Sequence, residues 1–520
     1  MYLKKKLKVS AYDNYLSVAK PITHAFISLI LFLLPLVMTN GYYNITETKL
    51  ITFYMISGGY LLVQFFVFIS FVLNKGKDFW KSLSFKFNFL DIAFISFGAS
   101  YVLSGILSSY GPKDVLFGIG SRYQGVVTII VYVLLYFVLT RTFSFSVNCL
   151  VWAGAGFSIV SVIAILNGVS VDPLGFYSEL SDKNQGMFIS TIGNINFYSA
   201  YYNNLLPLLV VGFCKAIDKK ALIIFGLFLV IGSVGMVFTA SESFLLGFII
   251  SMLLILVFVM TDVKALKRFL ISCCLFLTTI TIYTKLYHSG IAKNIFNFKP
   301  SGLMLIVSKP VVISALIIVC AVIFIIANTK TALLPLIKKA YCVILVVFFT
   351  LGIGGIVLVN TSFKNIDLGA LNEYLRFSDE WGSNRGRNWI FCIKEFTNAP
   401  LVSKFFGFGP ETYHHLTAKT NFYENKSLDQ VHNEYLHYLI SVGVFGLVSY
   451  LCIVFDTIKK CVKNIGENAV AIGILSALVA YWIQAVVNIA QPFTTPIMFI
   501  FITILSGMLK INLIQSYEYE

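Results

Sequence analysis

Residues 310–327 read PVVISALIIVCAVIFIIA, a run of eighteen positions without a charged side chain. A helix rises about 1.5 Å per residue, so such a run comes close to crossing the roughly 30 Å hydrocarbon core of a bilayer. The stretch predicts a transmembrane helix.

Comparable apolar runs recur along the whole chain. The protein is 58% hydrophobic and 12% charged, with a mean hydropathy of +0.83, whereas soluble domains are roughly 25% charged. The sequence therefore predicts an all-α polytopic membrane protein with about 12–14 transmembrane helices. We expect helices near residues 22–39, 50–73, 89–110, 124–140, 146–167, 197–214, 221–238, 243–260, 269–285, 310–327, 340–359, 433–455, 467–488 and 494–511.

The basic excess fits a membrane topology. The net charge is +15, but if the N-terminus is inside, about 23 of the 39 Lys and Arg residues fall on the inner side, as the positive-inside rule expects. No nucleic-acid partner is predicted. The same parity divides the chain into N-terminal helices (1–360), a long extracytoplasmic loop with part of the active site (361–431) and C-terminal helices (432–520). Only Cys392 lies in that loop, so no disulfide is expected.

The long polar segment carries the strongest candidates for chemistry. Four of the six histidines cluster at its end: His414, His415, His432 and His437. They can be interfacial side chains solvated by water and headgroups, or His432 can be a base. Zinc is a third alternative, but their spacing matches no usual ligand pattern, so neither a metal nor a cofactor is predicted. The stretch SLDQ before His432 resembles a capping box formed by Ser427 and Gln430, which would place His432 in the first turn of the next helix.

Arginines are the second set of candidates. Arg385 and Arg387 flank a glycine in GSNRGRNW, and Arg122 lies in another outer loop. They can be solvated charges or lipid anchors, or they can clamp phosphate, since guanidinium is planar, always charged and bidentate. From Arg387 to Phe396, apolar residues recur at spacings of three and four, which predicts a short amphipathic helix at the interface.

Further polar and aromatic residues complete the candidate set. Asn196 and Glu242 fall near helix ends, where Glu242 can simply extend to water, and Tyr413 can stack on a sugar or belong to the interfacial aromatic belt. The sequence has no Asp-x-Asp motif, P-loop or Rossmann fingerprint, so it lacks the carboxylates that hold metal in many nucleotide-sugar transferases.

Five segments together resemble the O-antigen ligase and O-antigen polymerase superfamily of bacterial membrane enzymes. They are GIGSRYQGVVTIIVYVLLY from residue 118, TIGNINFYSAYYNNLLPLL from residue 191, GSNRGRNWIFCIKEF from residue 382, GFGPETY from residue 407 and VHNEYLHYLISVGVFGL from residue 431. They follow the order of the family's glycine–arginine turn, G-N-x-N-F segment, loop arginine, G-x-G-P turn and H-N motif.

The resemblance implies roles for particular residues. His432 corresponds to the family's proposed catalytic base, and Arg385, with Arg387 beside it, to the loop arginine. Arg122 corresponds to the arginine of the earlier outer turn, which makes these three arginines the expected pyrophosphate-binding groups. Asn433, Tyr413, Asn196 and Glu242 are expected substrate contacts. One departure is that many members have Ser-Arg where this chain has Ser241-Glu242-Ser243, so a pyrophosphate-binding arginine is missing there.

The resemblance also implies a function. It predicts a multi-pass enzyme of the bacterial cytoplasmic membrane with its active site on the extracytoplasmic side. The expected donor is an undecaprenyl-pyrophosphate-linked glycan, and the expected acceptor is a glycan or a lipid or wall anchor, with membrane lipids around the protein. Polymerase and ligase remain open, with polymerase preferred. The rival from another class is a lipid-linked oligosaccharide flippase, but transporters tend to show internal repeats and midplane sites, and the sequence shows neither.

Overall fold

A computed structural model of the chain describes residues 10–83, 87–118, 122–143, 145–178, 180–290, 295–419, 428–466 and 468–517. The helices up to residue 360 are α1 (Ala11–Phe32), α2 (Ile45–Ser82), α3 (Phe89–Leu107), α4 (Pro112–Phe117), α5 (Val126–Arg141), α6 (Val147–Gly168), α7 (Asp182–Gln185), α8 (Ile195–Cys214), α9 (Lys219–Met236), α10 (Glu242–Val259), α11 (Val263–His288), α12 (Gly302–Val307), α13 (Pro310–Thr329) and α14 (Leu334–Asn360). The later ones are α15 (Asn372–Leu375), α16 (Trp381–Asn398), α17 (Leu401–Phe406), α18 (Tyr413–Lys419), α19 (Glu434–Asn464), α20 (Ala469–Gln484) and α21 (Thr494–Tyr517).

Other regular structure is sparse among the described residues. Short 3-10 helices cover Val237–Thr239, Thr331–Leu333 and Gly369–Leu371. Strands β1 (Phe188–Ile189) and β2 (Gly193–Asn194) pair antiparallel, with Phe188 opposite Asn194 and Ile189 opposite Gly193. The prediction of an all-α polytopic membrane protein is confirmed.

Each of the fourteen predicted apolar segments forms a helix, but the helices differ in whether their length and hydropathy suit them to span a bilayer. Within the described ranges, ten helices are long and apolar enough to cross a membrane. The apolar helices Val126–Arg141, Ala469–Gln484 and Thr494–Met508 are shorter. The fourteenth, α8, carries Tyr201, Tyr202, Asn203 and Asn204, all fully or almost fully buried by protein. It is a central helix surrounded by the others, and its amides bond to later helices, as Asn203 Nδ2 does to Gln484 Oε1 at 2.8 Å.

Helix ends extend beyond the apolar runs. Helix α1 begins eleven residues before the predicted start, because Ser10 and Asp13 form a reciprocal capping box there and Pro21 is accommodated inside the helix. Helix α2 continues to Ser82 through a kink at Gly76. Hydropathy detects only the apolar part of a helix, so it does not predict the polar turns by which a helix extends beyond that part.

Helices α13 and α14 lie at the periphery. In the most apolar part of α13 only 6% of the residues are buried by protein, and in α14 none are. One of their contacts inward is the Tyr341 hydroxyl, which donates to the Leu253 carbonyl of α10 at 3.2 Å. The bilayer is therefore the main environment of this pair.

The polar segment after α14 folds back onto α19. The backbone N–H groups of Phe408 and Gly409 donate to the carbonyls of Ile440 and Ser441, each at 3.0 Å. Gly407 and Gly443 both have positive φ angles, and a Cβ on Gly407 would lie 2.1 Å from the Ser441 carbonyl oxygen. The G-x-G-P turn thus needs glycine because two backbones touch where α19 is kinked.

Candidate active site

His432 lies two residues before α19, in a left-handed conformation with φ of 58°. The predicted capping box is wrong here. Asn433 is the N-cap, accepting from the Leu436 N–H at 3.0 Å, and the Gln430 amide instead donates to the buried Glu411 carboxylate at 3.3 Å. Ser427 lies outside the described residues. His432 therefore precedes the helix and is not in its first turn.

The environment of His432 disfavours its protonated form. Burial is the main cause, and the positive charge of Arg385 adds to it, so that the pKa of His432 falls from 6.5 to about 4. Asp429 opposes this change, whereas Arg122 and His437 reinforce it. Charged side chains from three distant parts of the sequence therefore act on the pKa of one imidazole.

Arg385 begins the regular part of α16. The preceding Gly382, Ser383 and Asn384 all have positive φ angles, and the tight turn they form lets Arg385 Nη1 donate to the Gly382 carbonyl at 3.0 Å. Burial lowers the pKa of Arg385, and the negative charge of Glu242 opposes that effect. Glu242 is thus close enough to act as a counter-charge.

Glu242 reaches this region from the start of α10. A Cβ on Gly302 would lie 2.8 Å from Glu242 Oε1 and 2.9 Å from the Tyr374 hydroxyl. The absence of a side chain at Gly302 therefore leaves room for the carboxylate. Glu242 thus brings a negative charge to the position where the resemblance described above implies an arginine in related proteins.

Arg122 approaches from the segment after α4. Its Nε lies 3.0 Å from Asp429 Oδ2, in an ion pair that leaves both side chains partly exposed. Its guanidinium lies 5.2 Å from the centre of the Phe197 ring, within the range of a cation–π contact. Arg122 is therefore close enough for its charge to lower the pKa of His432, and its side chain keeps partial exposure to solvent.

A buried polar layer supports the His432 segment. Glu411, in the turn after Pro410, has its Oε1 3.5 Å from His437 Nε2, and the same nitrogen lies 3.3 Å from the Ser441 hydroxyl. Next to it, the buried Glu434 accepts hydrogen bonds from Tyr438 at 2.7 Å and Tyr481 at 3.0 Å. These contacts fix the start of α19 against α20 and the G-x-G-P turn.

The other candidates from the sequence take part in contacts that hold the local fold. Tyr413 is buried, and its hydroxyl donates to the Asn388 carbonyl at 3.4 Å. The Asn196 carbonyl accepts from Asn488 at 3.4 Å at the start of α8. Arg387 is half-buried two residues after Arg385, and its backbone N–H donates to the Asp379 carbonyl at 3.0 Å. The predicted helix forms as part of α16, with Ile390 and Ile393 exposed and Phe391 and Cys392 buried, and its place at the membrane interface stays a prediction.

An apolar cavity of about 580 Å³ lies among the helices that are long and apolar enough to span a membrane. Its lining consists of apolar side chains and one tyrosine. The cavity lies between α10, α11, α13 and the start of α14. Its lining includes Leu245, one turn after Glu242, and Val307 at the end of α12. The cavity therefore extends along α10, from the level of the charged residues towards Met260.

A comparison with protein families adds independent evidence. Residues 296–451 match the family model described as O-antigen ligase. The resemblance to the O-antigen ligase and polymerase superfamily is confirmed. The matched residues include Arg385, Arg387, Tyr413, His432 and Asn433. No curated protein and no solved structure matches the chain. The match at residues 296–451 supports an enzyme of the O-antigen ligase or polymerase type, and the ten apolar helices among the described residues fit a multi-pass membrane protein.

Two carboxylates at the site, Asp429 and Glu411, escaped the sequence predictions. Asp429 was assigned to a capping stretch, although a carboxylate three residues before a candidate base is a signal in its own right. Glu411 and His437 pair across a turn and a helix, and no spacing in the sequence connects them. Only the fold of the G-x-G-P turn onto α19 brings them together.

Proposed function

We propose that this O-antigen ligase-type enzyme transfers glycan from an undecaprenyl-pyrophosphate-linked donor at the outer face of the bacterial cytoplasmic membrane. In this mechanism His432 accepts the proton of an acceptor sugar hydroxyl. The hydroxyl oxygen bonds to the anomeric carbon as the bond from that carbon to the pyrophosphate oxygen breaks. The attack from the opposite face inverts the anomeric centre. The chemistry requires no metal.

The observation that carries the proposal is that the charges of Arg385 and Arg122 both act on the pKa of His432. A base must be unprotonated, and with a pKa of about 4 His432 is almost wholly neutral at pH 7. A departing pyrophosphate needs fixed positive charge, which arginines in a partly desolvated site supply effectively. Both requirements meet in one place.

The low pKa of His432 changes the expectation drawn from the sequence, which assumed an ordinary value near 6.5. A base with a pKa of about 4 is weak in the free enzyme. When the anionic pyrophosphate binds, it neutralises Arg385 and Arg122, and the pKa of His432 rises towards its ordinary value. The donor thereby strengthens the base that will act on it.

Glu242 and Asp429 fit this scheme as exchangeable counter-charges. Asp429 pairs with Arg122, and the Glu242 charge acts on Arg385. We assign both carboxylates the role of holding the arginines until pyrophosphate replaces them. Arg387 contributes a further positive charge, and Asn196, Tyr413 and Asn433 shape the walls around the sugars.

The cavity along α10 supplies a place for the lipid part of the donor. Its lining is apolar, as an isoprenoid chain requires, and it begins one turn from Glu242. The peripheral α13 and α14 close it with few contacts of their own, so a chain can enter sideways from the bilayer. The pyrophosphate then remains at the charged residues while the tail lies in hydrocarbon.

The test uses purified full-length protein in detergent with a lipid-pyrophosphate-linked glycan donor. We expect His432→Ala to reduce transfer by at least about 10²-fold, the lower range for loss of a general base. His288→Ala, which removes an exposed histidine at the end of α11, is the matched control and should transfer normally. Full activity of His432→Ala at equal protein level would contradict the proposed base. Lengthening products indicate a polymerase, and a single transfer indicates a ligase.

The same assay separates the enzyme from a flippase. A flippase moves its lipid between the leaflets of a sealed membrane and forms no new glycosidic bond. Product formation in detergent, where no sealed membrane exists, therefore supports transfer. Wild-type protein that forms no product in detergent but moves the donor across vesicle membranes would overturn the proposal.

A further inference from the structure

A second cluster of titratable groups lies apart from His432. Asp114 of α4 and the neighbouring His414 and His415 of α18 converge although about 300 residues separate them in the sequence. His415 Nε2 lies 2.8 Å and His414 Nε2 lies 3.9 Å from Asp114 Oδ2. The three possible ligand atoms all lie within 4.8 Å of one another, on half-buried side chains.

The outer contacts of both imidazoles orient them towards this point. His414 Nδ1 lies 3.1 Å from the Glu411 carbonyl oxygen, and because a carbonyl only accepts, Nδ1 carries the proton. Nε2 of His414 is then the lone-pair atom facing Asp114. The His415 ring stacks on Tyr110 at 4.6 Å with an angle of 3° between the planes. A hydrogen bond from the second ring nitrogen to a carbonyl oxygen, as in His414, is typical of metal-binding histidines.

A simple hydrogen bond explains only part of the cluster. It accounts for His415 and Asp114, but it leaves His414 with its lone pair 3.9 Å from a carboxylate oxygen, beyond hydrogen-bond distance and with no proton to donate. A cation bound at about 2.0–2.2 Å from each atom requires ligand separations of roughly 3.4 Å in tetrahedral geometry. The observed 2.8 and 3.9 Å lie on either side of that value.

We propose that Asp114, His414 and His415 bind a divalent cation of the Zn²⁺ class. Two imidazoles and one carboxylate suit Zn²⁺, whereas Mg²⁺ and Ca²⁺ prefer oxygen ligands only. Water completes the coordination, and the proton on His415 Nε2 moves to Nδ1 so that the neutral imidazole binds the ion through Nε2. The spacing of the histidines did not reveal the site, because the third ligand comes from a distant segment.

The position of the cluster gives the ion a structural role. Asp114 lies in the helix that leads to Arg122, and His414 lies in the helix that precedes the Asp429–His432 segment. A bound ion therefore clamps together the two outer segments that the Arg122–Asp429 ion pair also joins. The ion takes no part in the chemistry proposed for His432, and the site stands or falls independently of that proposal.

The experiment uses tag-free, chelator-treated, full-length protein in detergent, because a polyhistidine tag would itself bind Zn²⁺. Equilibrium dialysis against Zn²⁺ with elemental analysis should give one ion per chain. Asp114→Asn and His414→Ala should each weaken binding at least about tenfold, while His288→Ala should bind as the wild type does. Binding that is unchanged in both cluster variants would overturn the proposal.

A measurement on the wild type covers the case in which a variant fails to fold. Co²⁺ should produce the d–d absorption of a site with nitrogen ligands and low coordination number. Zn²⁺ should raise the thermal unfolding midpoint, whereas equal Mg²⁺ should not. Wild-type protein that shows neither the Co²⁺ bands nor the Zn²⁺ shift would refute the site.

Discussion

The pH dependence of Arg385→Gln tests the central electrostatic argument. The pKa of His432 lies at about 4 rather than 6.5, a difference equivalent to roughly 3.4 kcal/mol at 1.36 kcal/mol per pKa unit. Burial is the larger cause and the Arg385 charge the next. Removing that charge should therefore raise the pKa of His432, by on the order of 1, and leave the larger contribution of burial in place.

The measurement is kcat/KM for glycan transfer between pH 4 and 8, which reports the pKa of the free enzyme. Transfer is lost as pH falls through the pKa of the base, because protonated His432 cannot accept a proton. The wild type should be flat from about pH 5 to 8 and lose activity near pH 4. Arg385→Gln should be slower overall, and its acid limb should lie at higher pH. The wild-type kcat, which reports the donor complex, should fall at higher pH than kcat/KM.

Two controls isolate the effect of charge. Arg385→Lys keeps the positive charge but loses the bidentate fork, so its rate should drop while its acid limb stays where the wild type has it. Lys394→Gln removes an exposed charge from the same helix and should change neither the rate nor the position of the acid limb. A wild-type kcat/KM that falls tenfold between pH 6.5 and 5.5, or identical acid limbs in Arg385→Gln and Arg385→Lys, would refute the reasoning.

Three further variants, one with a matched control, test neighbouring features. Asp429→Asn removes the charge that raises the pKa of His432, so the acid limb of kcat/KM should move to lower pH; a move to higher pH would contradict the assignment. Gly407→Ala places a Cβ 2.1 Å from a carbonyl oxygen at a residue with positive φ, so it should lower the free energy of unfolding by about 1–3 kcal/mol. The control is Gly352→Ala, whose Cβ would have nothing within 4 Å and which should leave the thermal unfolding midpoint nearly unchanged. Glu434→Leu deprives buried tyrosine hydroxyls of their acceptor and should lower that midpoint through a loss of about 1–3 kcal/mol for each unsatisfied group; an unchanged midpoint would contradict the buried network.

The sequence predicts the helices well because each apolar run must satisfy its backbone hydrogen bonds internally in lipid. It fails at polar ends, as at Ser10, where a capping box and not hydropathy sets the boundary. It also fails for α8, whose tyrosines and asparagines are surrounded by protein. An apolar run does not reveal whether lipid or other helices cover it.

The site is predictable only where its signal is local. His432 and Arg385 stand out as a base and a cation in a polar segment, and the family resemblance links them. The contribution of Glu242, and the depression of the His432 pKa, depend on burial and on charges from other helices. The partnership of Asp114 with His414 likewise arises from tertiary folding, because no pattern within either segment indicates the other.

The peripheral position of α13 and α14 has a consequence for how the protein tolerates change. Side chains that face acyl chains must be apolar, but they need not match the shape of any neighbouring residue. Substitutions such as Ile318→Leu or Phe348→Ile on the exposed faces of these helices should therefore be neutral, whereas a charge there is costly. The bilayer therefore constrains this pair mainly through polarity, whereas the side chains of the buried α8 must also match the shapes of their neighbours.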